Sequence, residues 1–507
     1  LFRAYAERLR GAASIAAASP YGLAVPGALA LSTFALWNGF PVLYFDSIDY
    51  LQRPADVLAG FGFVSEWASP PEAAVAGPSG PPAADDDGWA AGRSVYYGLT
   101  ALFLSAAAGP AAIVFAQAYL LAAILALAWT RGLGGAPVGY ALVVGLLSLA
   151  STAPAFVAIV LPDVLSGIAV LAAATSLVWW DRLRRLDRCV LVGACGFGAL
   201  SHDSILALLL LGGSIACAAW LFARRGGRSA PFRLAAATPL LAGAAVGLAG
   251  TVLFHVVAVA STGQPPVRLP FLSARLATSE LGRDHLARTC PGSGYALCRY
   301  QDRLHGTWIQ FLFSADPDVG VLKSASAQDR RRIVQEQTAF AADLVVQSPM
   351  RAAALFTGAA LKQARMMSLR DFRAADTAPY LLHRLQPSLR EPLLRSRVYR
   401  DEASLHRASG FYTAAAIVSG LIAAGWIAAG AASGALNRVQ LFAAALLAGA
   451  ALNATVCGVL ASPYDRFQAR VAWLLPLAAS ALLLQAHGAR QIQAGRRSVL
   501  LARVERS

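Results

Sequence analysis

The stretch Ser176-Leu177-Val178-Trp179-Trp180-Asp181-Arg182-Leu183-Arg184-Arg185-Leu186-Asp187-Arg188 decides the fold. An apolar run beginning near residue 163 ends here in four closely spaced arginines. Short loops rich in Arg or Lys stay on the cytoplasmic side of a membrane, so this loop fixes an orientation. Other basic groups also follow apolar runs: Arg131; Arg224, Arg225, Arg228 and Arg233; Arg438; and Arg490, Arg496, Arg497, Arg503 and Arg506. The amino end carries Arg3, Arg8 and Arg10 before an apolar segment without a clear cleavage site, which reads as a retained first span with its amino end inside.

Composition agrees with a membrane solvent. The chain has 507 residues, 57% hydrophobic and 14% charged, with mean hydropathy +0.53; soluble domains carry about 25% charged residues. Several apolar runs approach the roughly 20 residues needed to cross a bilayer, and lipid leaves helices as the natural spans. The expected fold class is an all-α polytopic membrane protein with ten spans near 22–40, 108–130, 137–152, 163–180, 189–201, 204–223, 234–260, 410–431, 438–460 and 470–487. Alternation from an inside start puts every basic loop above inside, and both termini with them. The formal charge of +15 is then mainly a matter of orientation and anionic lipid, with no nucleic-acid partner.

The domains read as a membrane module at 1–260 with an external first loop at 41–109, a mainly helical external segment at 261–409, and terminal spans with a basic tail at 410–507. Within the first loop, Pro70 to Gly88 is rich in Pro, Ala, Gly and Asp and reads as irregular. The segment from Arg93 to Leu104 reads as a helix along the membrane surface. In the external segment, helical patterns cover 327–346 and 349–368, the second with Ala353, Phe356, Ala360, Ala364 and Met367 on one face. Cys290-Pro-Gly-Ser-Gly-Tyr-Ala-Leu-Cys298 has turn residues that let the two sulfurs meet, so a disulfide is expected there. The remaining cysteines, Cys189, Cys195, Cys217 and Cys457, read as small core hydrophobes.

Four outside turns carry the chemistry. Asp46 and Asp49, three apart after the first span, share a face if helical. Two carboxylates there call for water, a cation or a ligand; a helix cap is the plain alternative. A divalent cation thus stays open as a cofactor, and no metal-type Cys/His cluster is present. Asp163 after Pro162 reads first as an ordinary helix start. His202 in Ser201-His202-Asp203-Ser204 reads as a hydrogen-bonding group rather than a metal ligand. In Tyr464-Asp465-Arg466-Phe467-Gln468-Ala469-Arg470, two arginines four apart face one way on a helix and suit phosphate through planar paired donors. A salt-bridged cap is the alternative there. No nucleotide-binding glycine loop and no nucleophile elbow is found, which sets aside an ATP-driven pump and a serine hydrolase.

The order of first span, acidic loop with Asp46, Asp49 and Tyr50, paired tyrosines in Arg93-Ser-Val-Tyr96-Tyr97-Gly, Leu161-Pro162-Asp163 at a middle span, and Arg466-Phe467 before Trp473-Leu-Leu-Pro476 resembles integral-membrane glycosyltransferases of the GT-C superfamily. That group includes the lipid A aminoarabinose transferases and the protein O-mannosyltransferases. The likeness covers the first 230 residues and the last two spans. Two departures stand out: the acidic pair is split as Asp-x-x-Asp, which leaves the base open between Asp46 and Asp49, and the paired-tyrosine segment lacks the family's prolines. The resemblance implies a sugar donor joined to polyprenyl phosphate and an envelope acceptor chosen by 261–409. It also implies catalysis on the extracytoplasmic face of a bacterial-type inner membrane, with inversion at the anomeric carbon. Asp46 or Asp49 would be the base, and Arg466 and Arg470 the phosphate clamp. Asp163, His202 and Asp203 would shape the sugar pocket with Tyr50, Arg93, Tyr464 and Asp465 nearby, and Tyr96 and Tyr97 would stack or anchor. The alternatives are a transporter or flippase for a lipid-linked or anionic solute, and a non-catalytic partner in envelope assembly.

Overall fold

A computed structural model describes residues 19–70, 93–226, 232–266 and 268–487. Arg3, Arg8, Arg10, Arg228, the carboxyl-terminal arginines and residues 71–88 of the Pro/Gly-rich stretch lie outside the described residues. The protein is an all-α polytopic membrane protein, with no strand among the described residues beyond a single parallel bridge between Val42 and Ile159.

Among the described residues, eight helices are long and apolar enough to cross a membrane: Pro20–Asn38, Ala111–Leu133, Val164–Arg182, Asp203–Arg225, Leu234–Ser261, Glu402–Ala432, Arg438–Leu460 and Asp465–His487. The other two expected spans are also helical, Pro137–Ala150 with 14 residues and Arg185–Ser201 with 17. At 1.5 Å per residue they reach only about 21 and 26 Å, short of a hydrocarbon core of about 30 Å. Arg185–Ser201 nonetheless joins the end that holds Asp187 to the end that holds His202, and it buries Leu191, Ala194, Cys195 and Ala199 against its neighbours. Thr238–Thr262 meets it through Gly243 and Gly247, four apart, where an added Cβ would stand 2.8 Å from Cys195 and 2.7 Å from Ala199. Small residues at that spacing let two helices approach closely where lipid supplies no hydrophobic drive.

The two ends of the bundle differ in chemistry. At one end Asp187 accepts from the Tyr21 hydroxyl at 3.0 Å and from Arg131 Nε at 3.1 Å. There Arg182 donates to the Gly132 carbonyl at 2.7 Å, and Arg438 pairs with Asp181 at 3.2 Å. Three loops singled out for their arginines therefore meet. Val164–Arg182 runs from this end to the other, where Asp163 precedes its first turn.

The 261–409 segment divides between two cores. Residues from Ala274 to Ala352 enclose a core of their own around Phe311, Ile333, Phe340 and Leu344. Cys290 and Cys298 close a disulfide there, with Cα atoms 5.6 Å apart. Leu369, Phe372, Leu381, Leu385, Leu389, Leu393 and Val398 belong instead to the core of the membrane module. The helices expected at 327–346 and 349–368 are Ala327–Gln347 and Pro349–Arg365, bent by 113°. The expected face of the second is displaced by one residue: Ala352, Ala359 and Gln363 are buried, whereas Ala353 is exposed. The cause is Gly458 on Arg438–Leu460, where an added Cβ would lie 2.8 Å from the Ala359 carbonyl oxygen. Backbone approach selects small residues over the large apolar ones that periodicity weighs most.

Candidate functional site

The first loop folds into the helix Phe45–Ala59, so Asp46 and Asp49 do sit on helical turns. Its start is fixed twice. The Tyr44 amide donates to Ser47 Oγ at 2.8 Å, and the bridge just upstream joins the Val42 amide to the Ala158 carbonyl at 2.9 Å and the Val160 amide to the Val42 carbonyl at 3.0 Å. That bridge pins the chain leading to Asp46 against the chain leading to Asp163. The segment expected as a surface helix is Val95–Ala108, N-capped by Ser94. It packs on the first-loop helix so closely that a Cβ at Gly98 would lie 2.2 Å from the Tyr50 carbonyl oxygen. This contact carries Arg93 to Asp46.

Asp46, Asp163, Arg93, Arg466 and Arg470 form one connected network. Asp46 Oδ1 accepts from Arg93, and Oδ2 accepts from Arg466 Nη2 at 3.0 Å. Arg466 Nε stands 3.9 Å from Asp163 Oδ2, and Arg470 Nη1 donates to Asp163 Oδ1 at 3.1 Å. Burial pushes the Asp46 carboxyl up, but Arg93 and then Arg466 outweigh it and hold the group below the usual carboxylate range.

The two clamp candidates have different surroundings. Arg470 is fully buried; its Nε has no hydrogen-bond partner, but its Nη2 donates to Ser204 Oγ at 2.8 Å, Asn453 Oδ1 at 3.0 Å and Cys457 Sγ at 3.1 Å. It is enclosed by protein, so its effect on a ligand passes through Asp163. Arg466 keeps Nε and Nη1 buried without a hydrogen-bond partner, and its guanidinium lies 4.5 Å from the Tyr44 ring centroid. Unpaired buried donors carry a desolvation penalty of about 1–3 kcal/mol each, more when charged, so this group is primed for an anionic oxygen.

His202 borders the network. Its Nδ1 accepts from the Ser204 amide at 3.1 Å and lies 2.8 Å from Ser204 Oγ. Burial, followed by the Arg470 charge, pushes its pKa down to about 4 against the pull of Asp163 and Asp203. The ring is therefore neutral near pH 7, and an occupied Nδ1 acceptor puts the proton on Nε2. Asp203 stands apart, in an exposed pair with Arg268 at 2.6 Å.

The other expected site residues lie outside the hydrogen-bonded network, although the Tyr464 hydroxyl stands 3.4 Å from that of Tyr44 and Arg93 lies 5.9 Å from the Tyr50 ring centroid. Asp49 turns to Arg384 at 2.9 Å, with Arg53 beside it. Tyr96 donates to the Gly250 carbonyl at 2.8 Å, and Tyr97 is a core residue bonded to Gln117 at 3.1 Å. Tyr97 also meets the buried Tyr50 ring edge-on, so neither Tyr50 nor Tyr97 offers a face to a sugar. Asp465 accepts from the Ser368 amide at 3.0 Å, which ties the 261–409 segment to the last span. Tyr464 is held at both backbone atoms by the Gln363 side chain, at 3.0 and 2.8 Å.

Sequence reading missed Tyr44, Ser204, Gln363, Asp371, Arg384, Asn453 and Cys457. Asp371 accepts from the Arg466 amide at 2.9 Å, and burial lifts its carboxyl to about 6. Arg384 carried a signal as one more arginine in a segment placed outside, and Ser204 as the last residue of the Ser201–Ser204 polar turn. Around Asp46, Asp49 and Asp163 stand five guanidinium groups: Arg53, Arg93, Arg384, Arg466 and Arg470. Cations thus outnumber these three carboxylates. Among the described residues, no three His, Cys, Asp or Glu side chains converge as metal ligands. Comparison of the chain with protein-family models, with characterised proteins and with solved structures gave no match.

Proposed function

We propose that the protein is a membrane glycosyltransferase that moves a sugar from a polyprenyl-phosphate donor to an envelope acceptor. One observation carries the reading: Arg466 bridges the carboxylates of two distant loops while keeping two buried N–H groups unpaired. A lipid phosphate supplies the oxygens such a group lacks, in the paired geometry that arginine favours.

In this reading Arg93 and Arg466 hold Asp46 until the donor phosphate draws them off. Asp46 then accepts the proton of the acceptor hydroxyl, whose oxygen attacks the anomeric carbon. The carbon–oxygen bond to phosphate breaks, and polyprenyl phosphate leaves with the electron pair, its charge stabilised by Arg466 and Arg93. With one carboxylate as base and no covalent intermediate, the configuration inverts. Arg470 positions Asp163, and the clamp consists of Arg466 and Arg93. Asp49 positions Arg384 on the segment proposed to receive the acceptor. The meeting of Arg131, Arg182 and Arg438 at the opposite end supports an extracytoplasmic site in a bacterial-type inner membrane, since clustered cationic loops stay inside.

The test uses purified protein in vesicles with a lipid-linked, labelled sugar. Asp46→Asn should lower transfer by about 10²–10⁴-fold while leaving expression and donor binding intact. Full activity in that variant removes Asp46 as base. Proton-coupled uptake of the lipid-linked solute without any transfer replaces the transferase by a transporter.

A further inference from the structure

A second polar site stands where the first span ends. Val25, Leu29 and Leu36 are exposed along Pro20–Asn38, at 46%, 55% and 72%. Their spacing of four and seven residues places them on one face of the helix, which makes a lipid-facing stripe. The stripe ends at Trp37, a residue type enriched where a membrane meets water.

The short helix Arg397–Arg400 is fastened to this end. The Val398 amide donates to Asn38 Oδ1 at 2.8 Å, and the Tyr399 hydroxyl donates to the Leu43 carbonyl at 2.6 Å. Arg397 lies over the Trp37 ring, 5.5 Å from its centroid. A cavity of about 370 Å³ opens between Trp37, Arg397, Arg400, Asp401 and Ser404. Asp401 is already engaged: it accepts from Ser404 and faces Arg407 at 3.7 Å. Arg397 and Arg400 have no carboxylate partner among the described residues. The pocket thus holds two uncompensated guanidinium groups at the head of an apolar stripe, and shares no residue with the Asp46–Asp163 network.

We infer that this pocket binds the phosphate headgroup of an anionic membrane phospholipid whose acyl chain lies along Val25, Leu29 and Leu36. Guanidinium groups pair with phosphate oxygens through parallel donors, the indole closes the apolar side, and the stripe gives the chain a protein surface in place of other lipid. The charge of the pocket sets the choice of an anionic headgroup over a zwitterionic one, whose cation meets Arg397 and Arg400 with repulsion. The inference stands independently of the transferase reading.

The experiment is native mass spectrometry of the intact protein released from micelles containing phosphatidylglycerol, phosphatidylcholine or inorganic phosphate. Wild-type protein should retain phosphatidylglycerol in preference to phosphatidylcholine. R397Q/R400Q should lose that affinity by roughly thirtyfold, from the attraction of two basic side chains. R288Q/R365Q, which removes the same charge elsewhere, should retain it, and both double variants should elute as the same monodisperse species. Equal retention of the two lipids by wild type, or unchanged retention by R397Q/R400Q, overturns the site. Inorganic phosphate that displaces the lipid at equal concentration overturns the phospholipid as its occupant.

Discussion

The Arg470–Asp163 pair gives the sharpest test of how the candidate site is held together. Both side chains are almost completely buried, at 1% and 3% exposure, and they bond at 3.1 Å. Arg470 also serves Ser204, Asn453 and Cys457. Arg470→Met leaves a buried carboxylate with only Arg466, 3.9 Å away. Removing one partner of such a pair costs about 3–5 kcal/mol, because the remaining charge stays desolvated. Asp163→Leu leaves the converse, an enclosed guanidinium with neutral acceptors, and should cost a similar amount. The double variant replaces both charges by apolar groups, and should fall short of the sum of the two losses by at least about 2 kcal/mol. Equilibrium unfolding by an ionic detergent in mixed micelles, followed by tryptophan fluorescence, measures all four corners of the cycle. Losses that add within about 0.5 kcal/mol would refute the coupling and, with it, the positioning role given to Arg470.

Three further outcomes follow from other parts of the molecule. Gly458→Val should destabilise the protein by several kcal/mol and loosen Pro349–Arg365, because its Cβ alone would stand 2.8 Å from the Ala359 carbonyl oxygen; a proteolysis pattern identical to wild type around residues 349–365 would contradict the packing argument. His285 is 1% exposed with neither ring nitrogen bonded, and burial lowers its pKa, with Arg288 assisting and Asp343 opposing. A depressed histidine pKa stabilises the fold above the unfolded value of about 6.5 and loses that stability as pH falls below it. His285→Leu should therefore flatten the acid limb of the stability curve, and an unchanged curve would clear His285 of that role. Cys290→Ser/Cys298→Ser opens a link with a sequence separation of eight residues and should lower the stability of the surrounding helices by about 2.5 kcal/mol in the chain-entropy account, read by hydrogen exchange across residues 280–345; unchanged protection there would refute it.

Legibility in the sequence followed the range of the interaction. Helices written in long apolar runs were readable because a span has to satisfy its own backbone, a local requirement. The arginines at 131, 182 and 438 foretold a shared end because each loop responds separately to the same membrane asymmetry. Gln363 was not legible: a buried glutamine looks like an error in an apolar face until Tyr464, about a hundred residues away, is found bonded to it. Asp49 and Asp46 look equivalent in sequence, yet one meets Arg384 and the other Arg93 and Arg466.

By itself, then, the chain determined that it is a bundle of membrane helices with its acidic turns far from its basic loops, since hydropathy and charge act residue by residue against a planar solvent. Tertiary structure alone decided which guanidinium faces which carboxylate. It buried Arg470 behind Asp163, left Arg466 with two unpaired donors, and turned Tyr97 into the core. Those outcomes depend on close approach between helices distant in sequence, at Gly98, Gly243 and Gly458, and no local pattern encodes which partner a missing side chain admits.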